Sequence, residues 1–180
     1  SAGKRALTGE GLFMTVFQNT DPVNKAKVAF ASPYPGKIIP VDLDTFDRTL
    51  ICQKSAFPCA AKGVNVGIHL QKKLGAGLFG GEGFIMQRIS GNGIMFGEFD
   101  GHLVEYELKP GQQIVVDTGH LAAMSASCSM EIRKVGGAKN MLLGGEGFFN
   151  TVITGPGHVW LQTMPLSNVA NALRPYFPSA

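Results

Sequence analysis

The sequence Gly80-Gly81-Glu82-Gly83-Phe84-Ile85 is one of three copies of a short acidic phrase bracketed by glycine. The other copies are residues 8–13 (TGEGLF) and 144–149 (GGEGFF). The three glutamates, Glu10, Glu82 and Glu146, lie 72 (82 − 10) and 64 (146 − 82) residues apart. Three copies in one chain predict a fold built from a repeated unit.

A second phrase recurs as residues 35–42 (PGKIIPVD) and 110–117 (PGQQIVVD), 75 residues apart (110 − 35). This period exceeds the 20–50 residues of ordinary solenoid repeats, and it fits tandem subdomains that each hold several strands. We therefore interpret the chain as a single domain with four parts: a partial first repeat (1–34), a second repeat (35–108), a third repeat (110–164), and a C-terminal helix and tail (165–180).

The composition favours short strands joined by tight turns. Glycine accounts for 24 of the 180 residues, and charged residues for only 16%, against a typical share of about 25%. So low a charged fraction predicts that some apolar surface faces other subunits, and hence a homo-oligomer.

Individual segments carry strand and turn signals. Residues 104–108 (VEYEL) alternate, which places Val104 and Tyr106 on one face, and the glycines of 90–93 and 100–101 predict hairpin turns. Residues 155–157 mark another reversal. Residues 114–116 and 147–153 are apolar on both faces, as in strands packed between layers. The larger aromatic side chains lie in strand-like runs, where a core position is expected: Phe84, Phe96, Tyr106, Phe148 and Trp160.

Helix is expected only near the C-terminus. Residues 167–174 form the candidate, with Ser167 as the N-cap and Pro175 as the stop.

Composition also argues against several classes of protein. A net charge of +3 does not by itself indicate a nucleic-acid partner, and no apolar run reaches the roughly 18 residues of a membrane span. Cys52, Cys59 and Cys128 lack zinc-site spacing and are expected to be reduced, mostly buried thiols of a cytoplasmic protein. We therefore predict neither a metal nor a cofactor.

Three longer motifs, residues 78–84 (LFGGEGF), 115–125 (VVDTGHLAAMS) and 155–163 (GPGHVWLQT), give the chain a family resemblance. Over essentially its whole length it resembles the bacterial proteins of unknown function related to the mitochondrial biogenesis (altered inheritance of mitochondria) protein. The resemblance implies three pseudo-symmetric repeats. Each would be a short double-stranded β-helix like a subunit of the tryptophan RNA-binding attenuation protein. It implies no established activity. It also implies that the first repeat lacks its opening segment.

Residues 75–80 (GAGLFG) match the dinucleotide-binding pattern G-x-G-x-x-G. That pattern requires a helix to begin at the loop, and Gly81 and Gly83 follow at once. We therefore do not interpret this stretch as a cofactor site.

The repeated glutamates have two interpretations. A carboxylate between glycines commonly accepts hydrogen bonds from its own turn. If the repeats surround an axis, however, Glu10, Glu82 and Glu146 could converge and bind a cation or a shared proton.

A basic pair precedes each glutamate, and repetition would place the pairs on equivalent rims. Such a ring could bind RNA, a phosphate or anionic lipid head groups, whereas the alternative is a set of solvated strand ends. The pairs are Lys4 with Arg5, Lys72 with Lys73, and Arg133 with Lys134.

No nucleophile and base are paired in any motif. The four histidines are scattered through the chain (His69, His102, His120 and His158), and Asp42 and Asp117, in matching places, are expected to cap turns. The sequence therefore favours a non-enzymatic scaffold or binding module, with protein partners open. The alternatives are a nucleic-acid or anionic phosphate and lipid-head binder, and a small-ligand site between repeats.

Overall fold

The computed structural model describes residues 15–32, 34–54, 56–72, 74, 83–135 and 149–177. Within these ranges the chain forms β-strands and one short α-helix, which confirms the mostly β prediction. The strands are β1 (Gly36–Asp42), β2 (Thr49–Gln53), β3 (Cys59–Ala60), β4 (Val64–Lys72), β5 (Phe84–Gly91), β6 (Ile94–Asp100), β7 (Leu103–Leu108), β8 (Gln113–Asp117), β9 (Leu121–Ser125), β10 (Ser129–Lys134), β11 (Phe149–Thr154) and β12 (Gly157–Gln162). The helix, α1, covers Leu166–Leu173.

The strands form three antiparallel sheets. The central sheet has six strands in the order β4-β5-β2-β9-β12-β7, so β2, in residues 35–108, pairs with β9, in residues 110–164. The first outer sheet has the order β1-β6-β3, and the second outer sheet has the order β10-β11-β8. Strands from both of these stretches, the predicted second and third repeats, are thus joined directly in the central sheet.

The middle strands of the central sheet are buried on both faces because an outer sheet packs on each face. Along β2, Leu50 and Cys52 pack in one apolar cluster with side chains of β1 and β6, while Ile51 packs in the other with side chains of β8 and β11. Alternate residues of a strand point to opposite faces. The molecule is therefore a three-layer β structure with two apolar cores.

Two capped turns carry the chain from an outer sheet into the central sheet. Asp42 Oδ1 accepts a hydrogen bond from the Asp44 amide at 3.1 Å, at the start of the 3₁₀ turn Leu43–Phe46. Asp117 Oδ1 likewise accepts from the Gly119 amide at 2.9 Å, at the start of Thr118–His120. The prediction that this repeated aspartate caps a turn is confirmed.

The reversals expected to be hairpins are instead crossings between layers. β5 lies in the central sheet and β6 in the first outer sheet, so the turn at Gly91 and Gly93 does not join paired strands. β6 and β7, on either side of Gly101, are in different sheets, as are β11 and β12. The glycines identified turns correctly, but turn chemistry alone does not say which strands pair.

Some side chains expected to be in the core face solvent. Val115 is 59% exposed because β8 belongs to an outer sheet, and Tyr106 is 43% exposed because β7 is the edge of the central sheet. Phe96, on the first outer sheet, is 37% exposed, whereas Phe84 on β5 is buried as expected. Phe148 lies outside the described residues.

The C-terminal helix exists, but its predicted cap is wrong. Ser167 lies inside α1, and the cap position is Pro165, which makes no side-chain hydrogen bond. Instead, the free amide of Leu166 donates to Asp100 Oδ2 at 2.8 Å. His120 adds a second tie to the helix: its Nδ1 lies 2.8 Å from the Gln162 carbonyl oxygen and its Nε2 lies 3.2 Å from Asn168 Nδ2.

A buried glutamine links two stretches of the chain beside this helix. The Nε2 of Gln162, on β12, donates to Gln53 Oε1 at 2.8 Å and to the Gly119 carbonyl oxygen at 3.1 Å. Its Oε1 accepts from the Asp100 amide at 3.1 Å. Gln53 and Asp100 lie in residues 35–108 and Gly119 lies in residues 110–164, so one side chain links the predicted second and third repeats.

Candidate functional site

A cleft of about 260 Å³ opens between the first outer sheet and the central sheet. Its buried residues are Leu50 on β2, Phe99 on β6 and Ala123 on β9. The described lining residues are Ile39, Pro40, Val41, Asp42, Thr45, Phe46, Leu50, Phe99, Leu103, Glu105, Ala123 and Trp160.

Two stretches of the chain contribute to the cleft. Ala123 and Trp160 lie in residues 110–164, the predicted third repeat, and the other lining residues lie in residues 35–108, the predicted second repeat. They meet because β2 pairs with β9 and β7 pairs with β12 in the central sheet. A ligand in this cleft would contact both stretches at once.

Aromatic rings border the cleft. The rings of Trp160 and His158 are stacked, with centroids 5.7 Å apart and planes at 18°. Phe46 meets both edge to face, at 5.3 Å from Trp160 and 6.1 Å from His158. Because Phe46 ends the 3₁₀ turn that Asp42 caps, the capped turn positions this ring over the layer junction.

Two of the three polar side chains that line the cleft, Asp42 and Glu105, are acidic, and the third is Thr45. Glu105 Oε1 lies 2.7 Å from His158 Nδ1, within hydrogen-bonding distance. Asp42 also lines the cleft, with one oxygen on the Asp44 amide. Among the described lining residues, none is a lysine, arginine or histidine.

The predicted binding residues are only partly described. Glu10, Glu82, Glu146, Lys4, Arg5 and Lys73 lie outside the described residues, so the convergence of the glutamates and the complete ring of basic pairs stay predictions. Lys72 ends β4, and Arg133 and Lys134 end β10.

Lys72 and Arg133 both act on one carboxylate. Arg133 Nη2 lies 2.8 Å from Glu131 Oε2. The hydrogen bond and charge of Arg133, with a smaller effect from Lys72, lower the pKa of Glu131. The described basic residues of these two strand ends therefore share a region with an acidic partner.

A shifted pKa is also found at His69, Cys59 and Cys128. Partial burial, with a smaller effect from the Arg88 charge, lowers the pKa of His69. Cys52 and Cys128 are buried and Cys59 is partly buried; none of the three is in a disulfide bond, and burial raises the pKa of Cys59 and Cys128. The described ranges contain no group of three side chains suited to holding a metal ion.

The cleft itself was not located from the sequence. Its lining is assembled from β1, β2, β6, β7, β9, β12 and the first 3₁₀ turn, and no local motif reports that assembly. The sequence offered one signal. The chain's single tryptophan, Trp160, lies two residues after His158 in a strand-like run, so the two side chains point to the same face. Within the part of the chain that the structure describes, no helix is long and apolar enough to cross a bilayer.

The three-layer, mostly β fold, with an apolar cleft between its first outer sheet and its central sheet, places the molecule among layered antiparallel β proteins. The chain belongs to the family described as mitochondrial biogenesis AIM24, whose sequence model matches residues 1–164. It is 26% identical over 180 residues to an uncharacterized protein of Streptococcus pyogenes serotype M6, covering 99% of this chain and 69% of that protein.

The fold is also similar to a crystal structure of a Streptococcus pyogenes protein. The TM-score is 0.66 at 22% sequence identity, covering 81% of this chain and 62% of that one. The matched region thus spans less than two thirds of the solved protein.

Proposed function

We propose that this chain is a non-enzymatic binding module whose ligand site is the cleft between the second and third repeats. The observation that carries the proposal is the cleft of about 260 Å³, lined by apolar side chains from both repeats. Ligand sites in proteins are typically concave, mostly apolar, and supplied with a few polar groups. Here Glu105 and Asp42 would supply the polar groups, and Trp160 the largest contact surface.

The proposal extends to architecture and assembly. We infer three related repeats with pseudo-threefold symmetry, each like a subunit of the attenuation protein. The two aspartate-capped turns, at Asp42 and Asp117, support the relation between the second and third repeats. Exposed apolar side chains on edge strand β7, Val104 and Tyr106, support a scaffold that associates with copies of itself. Free thiols fit a reducing compartment such as the cytoplasm.

Intrinsic fluorescence tests the ligand site, because Trp160 is the chain's single tryptophan. We expect the neutral probe 2-phenylethanol to change the emission of Trp160 in a saturable way. Val41→Phe adds a ring to a half-buried lining position and should weaken that binding at least fivefold. Val115→Phe, on the exposed face of β8, is the matched control and should bind as the parent does. Equal binding by parent and Val41→Phe would remove the cleft as the site.

The alternative, a nucleic-acid or anionic phosphate and lipid-head binder, has less support from the described residues. Arg133 is already paired with Glu131, which reduces the positive charge that a phosphate would meet. That alternative requires retention on heparin at low salt and an affinity that falls steeply with added salt.

A further inference from the structure

We propose that the cleft selects small organic cations: an ammonium group carried on an apolar body of about eight heavy atoms. The inference rests on the proposed function, in that the cleft must be a ligand site, and adds the chemical class of the ligand. Its basis is the charge of the lining, which holds two carboxylates and, among the described lining residues, no basic side chain.

Each carboxylate has one oxygen engaged and one available. Glu105 Oε1 is taken by His158, and Asp42 Oδ1 by the Asp44 amide. The second oxygen of each has no hydrogen-bond partner among the described residues. A ligand ammonium group donates up to three hydrogen bonds, so it can bind to carboxylate oxygens of this kind. The same oxygens would repel an anionic ligand.

Arg48, which follows the first 3₁₀ turn, is paired outside the cleft lining, because its Nε lies 3.2 Å from Asp44 Oδ1. His158 borders the cleft, and its Nδ1 lies 2.7 Å from Glu105 Oε1. It therefore engages one oxygen of that carboxylate and leaves the other for a ligand.

The aromatic border favours the same ligand class. The ring of Trp160, and less strongly that of Phe46, attracts a cation within about 6 Å of its centroid because the face of the ring is electron-rich. Leu50, Phe99 and Ala123 would contact the apolar body of the ligand. A purely apolar ligand would leave both carboxylates unused, and a small inorganic cation would leave the apolar surface unused.

The cleft volume sets the size of the ligand. A cleft of about 260 Å³ has room for a phenyl ring that carries a two-carbon chain and one polar group. The probe 2-phenylethylammonium has nine heavy atoms, and 2-phenylethanol has the same shape without the charge. Phenylacetate is the anionic counterpart.

Titration of the three probes, followed by Trp160 fluorescence, tests the inference. In the parent protein we expect the cation to bind about fivefold more tightly than the alcohol, and phenylacetate to bind most weakly. Glu105→Gln should bring the cation and the alcohol to within about twofold of each other while leaving the alcohol's affinity unchanged. Asp42→Asn should also reduce the preference for the cation, because it removes the charge of the second carboxylate. The turn should keep its structure, because asparagine caps a turn as well as aspartate does. Glu131→Gln removes a carboxylate from the second outer sheet and should keep the parent preference.

The possible results separate the two proposals. Equal affinity for the cation and the alcohol in the parent, or tightest binding of phenylacetate, overturns the selection of cations and leaves the cleft as a ligand site. A preference for the cation that survives in both Glu105→Gln and Asp42→Asn also overturns it. If no probe changes Trp160 emission in a saturable way, the proposed function fails.

Discussion

Replacing Gln162 by leucine should destabilise the contact between residues 35–108 and residues 110–164, the predicted second and third repeats. The glutamine is 4% exposed and makes three hydrogen bonds, to Gln53 Oε1, the Gly119 carbonyl oxygen and the Asp100 amide. Leucine has a similar volume but no hydrogen-bonding group. The substitution therefore leaves three partner groups without their hydrogen bonds and creates no large cavity.

The expected loss follows from these contacts. Each unsatisfied buried group costs about 1–3 kcal/mol, and because part of this junction is near solvent we take about 1.5 kcal/mol for each of the three groups. Burying leucine returns about 1.5 kcal/mol. The net loss in the free energy of unfolding is then about 3 kcal/mol, or a fall in Tm of roughly 6–12 °C for a chain of this length.

Urea unfolding, followed by circular dichroism, measures this loss for Gln162→Leu. Gln113→Leu is the matched control, because exposed Gln113 makes one side-chain hydrogen bond, from Nε2 to Thr154 Oγ1 at 3.0 Å. We expect a change within about 0.5 kcal/mol for the control. A loss below about 1 kcal/mol for Gln162→Leu would refute the reasoning that this side chain holds the repeats together.

Three further outcomes are expected. Gly91→Ala should lower the free energy of unfolding by more than about 2 kcal/mol, because Gly91 has φ +124° and a Cβ there would collide with the carbonyl oxygen of Gly63. Gly67→Ala is the control: a Cβ at Gly67 meets open space, so stability should change little in the same urea assay. Asp117→Ala should cost about 1 kcal/mol through loss of its cap, and a neutral result would show that the cap contributes nothing. The pKa of His69 is lower in the folded protein than in the unfolded chain, so the free energy of unfolding should keep its full value above about pH 6.5 and fall as the pH drops below it. His69→Gln should reduce this fall. Unchanged pH dependence of the urea midpoint in that variant would contradict the prediction.

Local features of the fold were predictable because they depend on neighbouring residues. Asp42 and Asp117 precede turns that their own carboxylates cap, and the glycines at 91, 93 and 101 adopt the positive φ that turns demand. The C-terminal helix was located within one residue at each end. In each case the interaction that decides the structure spans only a few residues.

Layer assignment was not predictable, because it depends on distant pairing. The alternation of 104–108 placed Val104 and Tyr106 on one face correctly, yet that face is partly exposed since β7 is an edge strand. Ser167 is not the cap of α1. The Leu166 amide at the start of the helix donates a hydrogen bond to Asp100 Oδ2, 66 residues away along the chain. The cleft follows the same rule, because Trp160 and Phe46 meet only after three sheets have packed.

An amide chemical-shift map of the ¹⁵N-labelled protein, titrated with 2-phenylethylammonium, tests the central claim most directly. We predict saturable shifts concentrated at the cleft, including Val41, Phe46, Leu103 and Ala123, with little change on the exposed face of the second outer sheet. Shifts centred on β10 and β11, or none at concentrations that saturate the fluorescence change, would contradict the claim that the cleft between the repeats is the binding site.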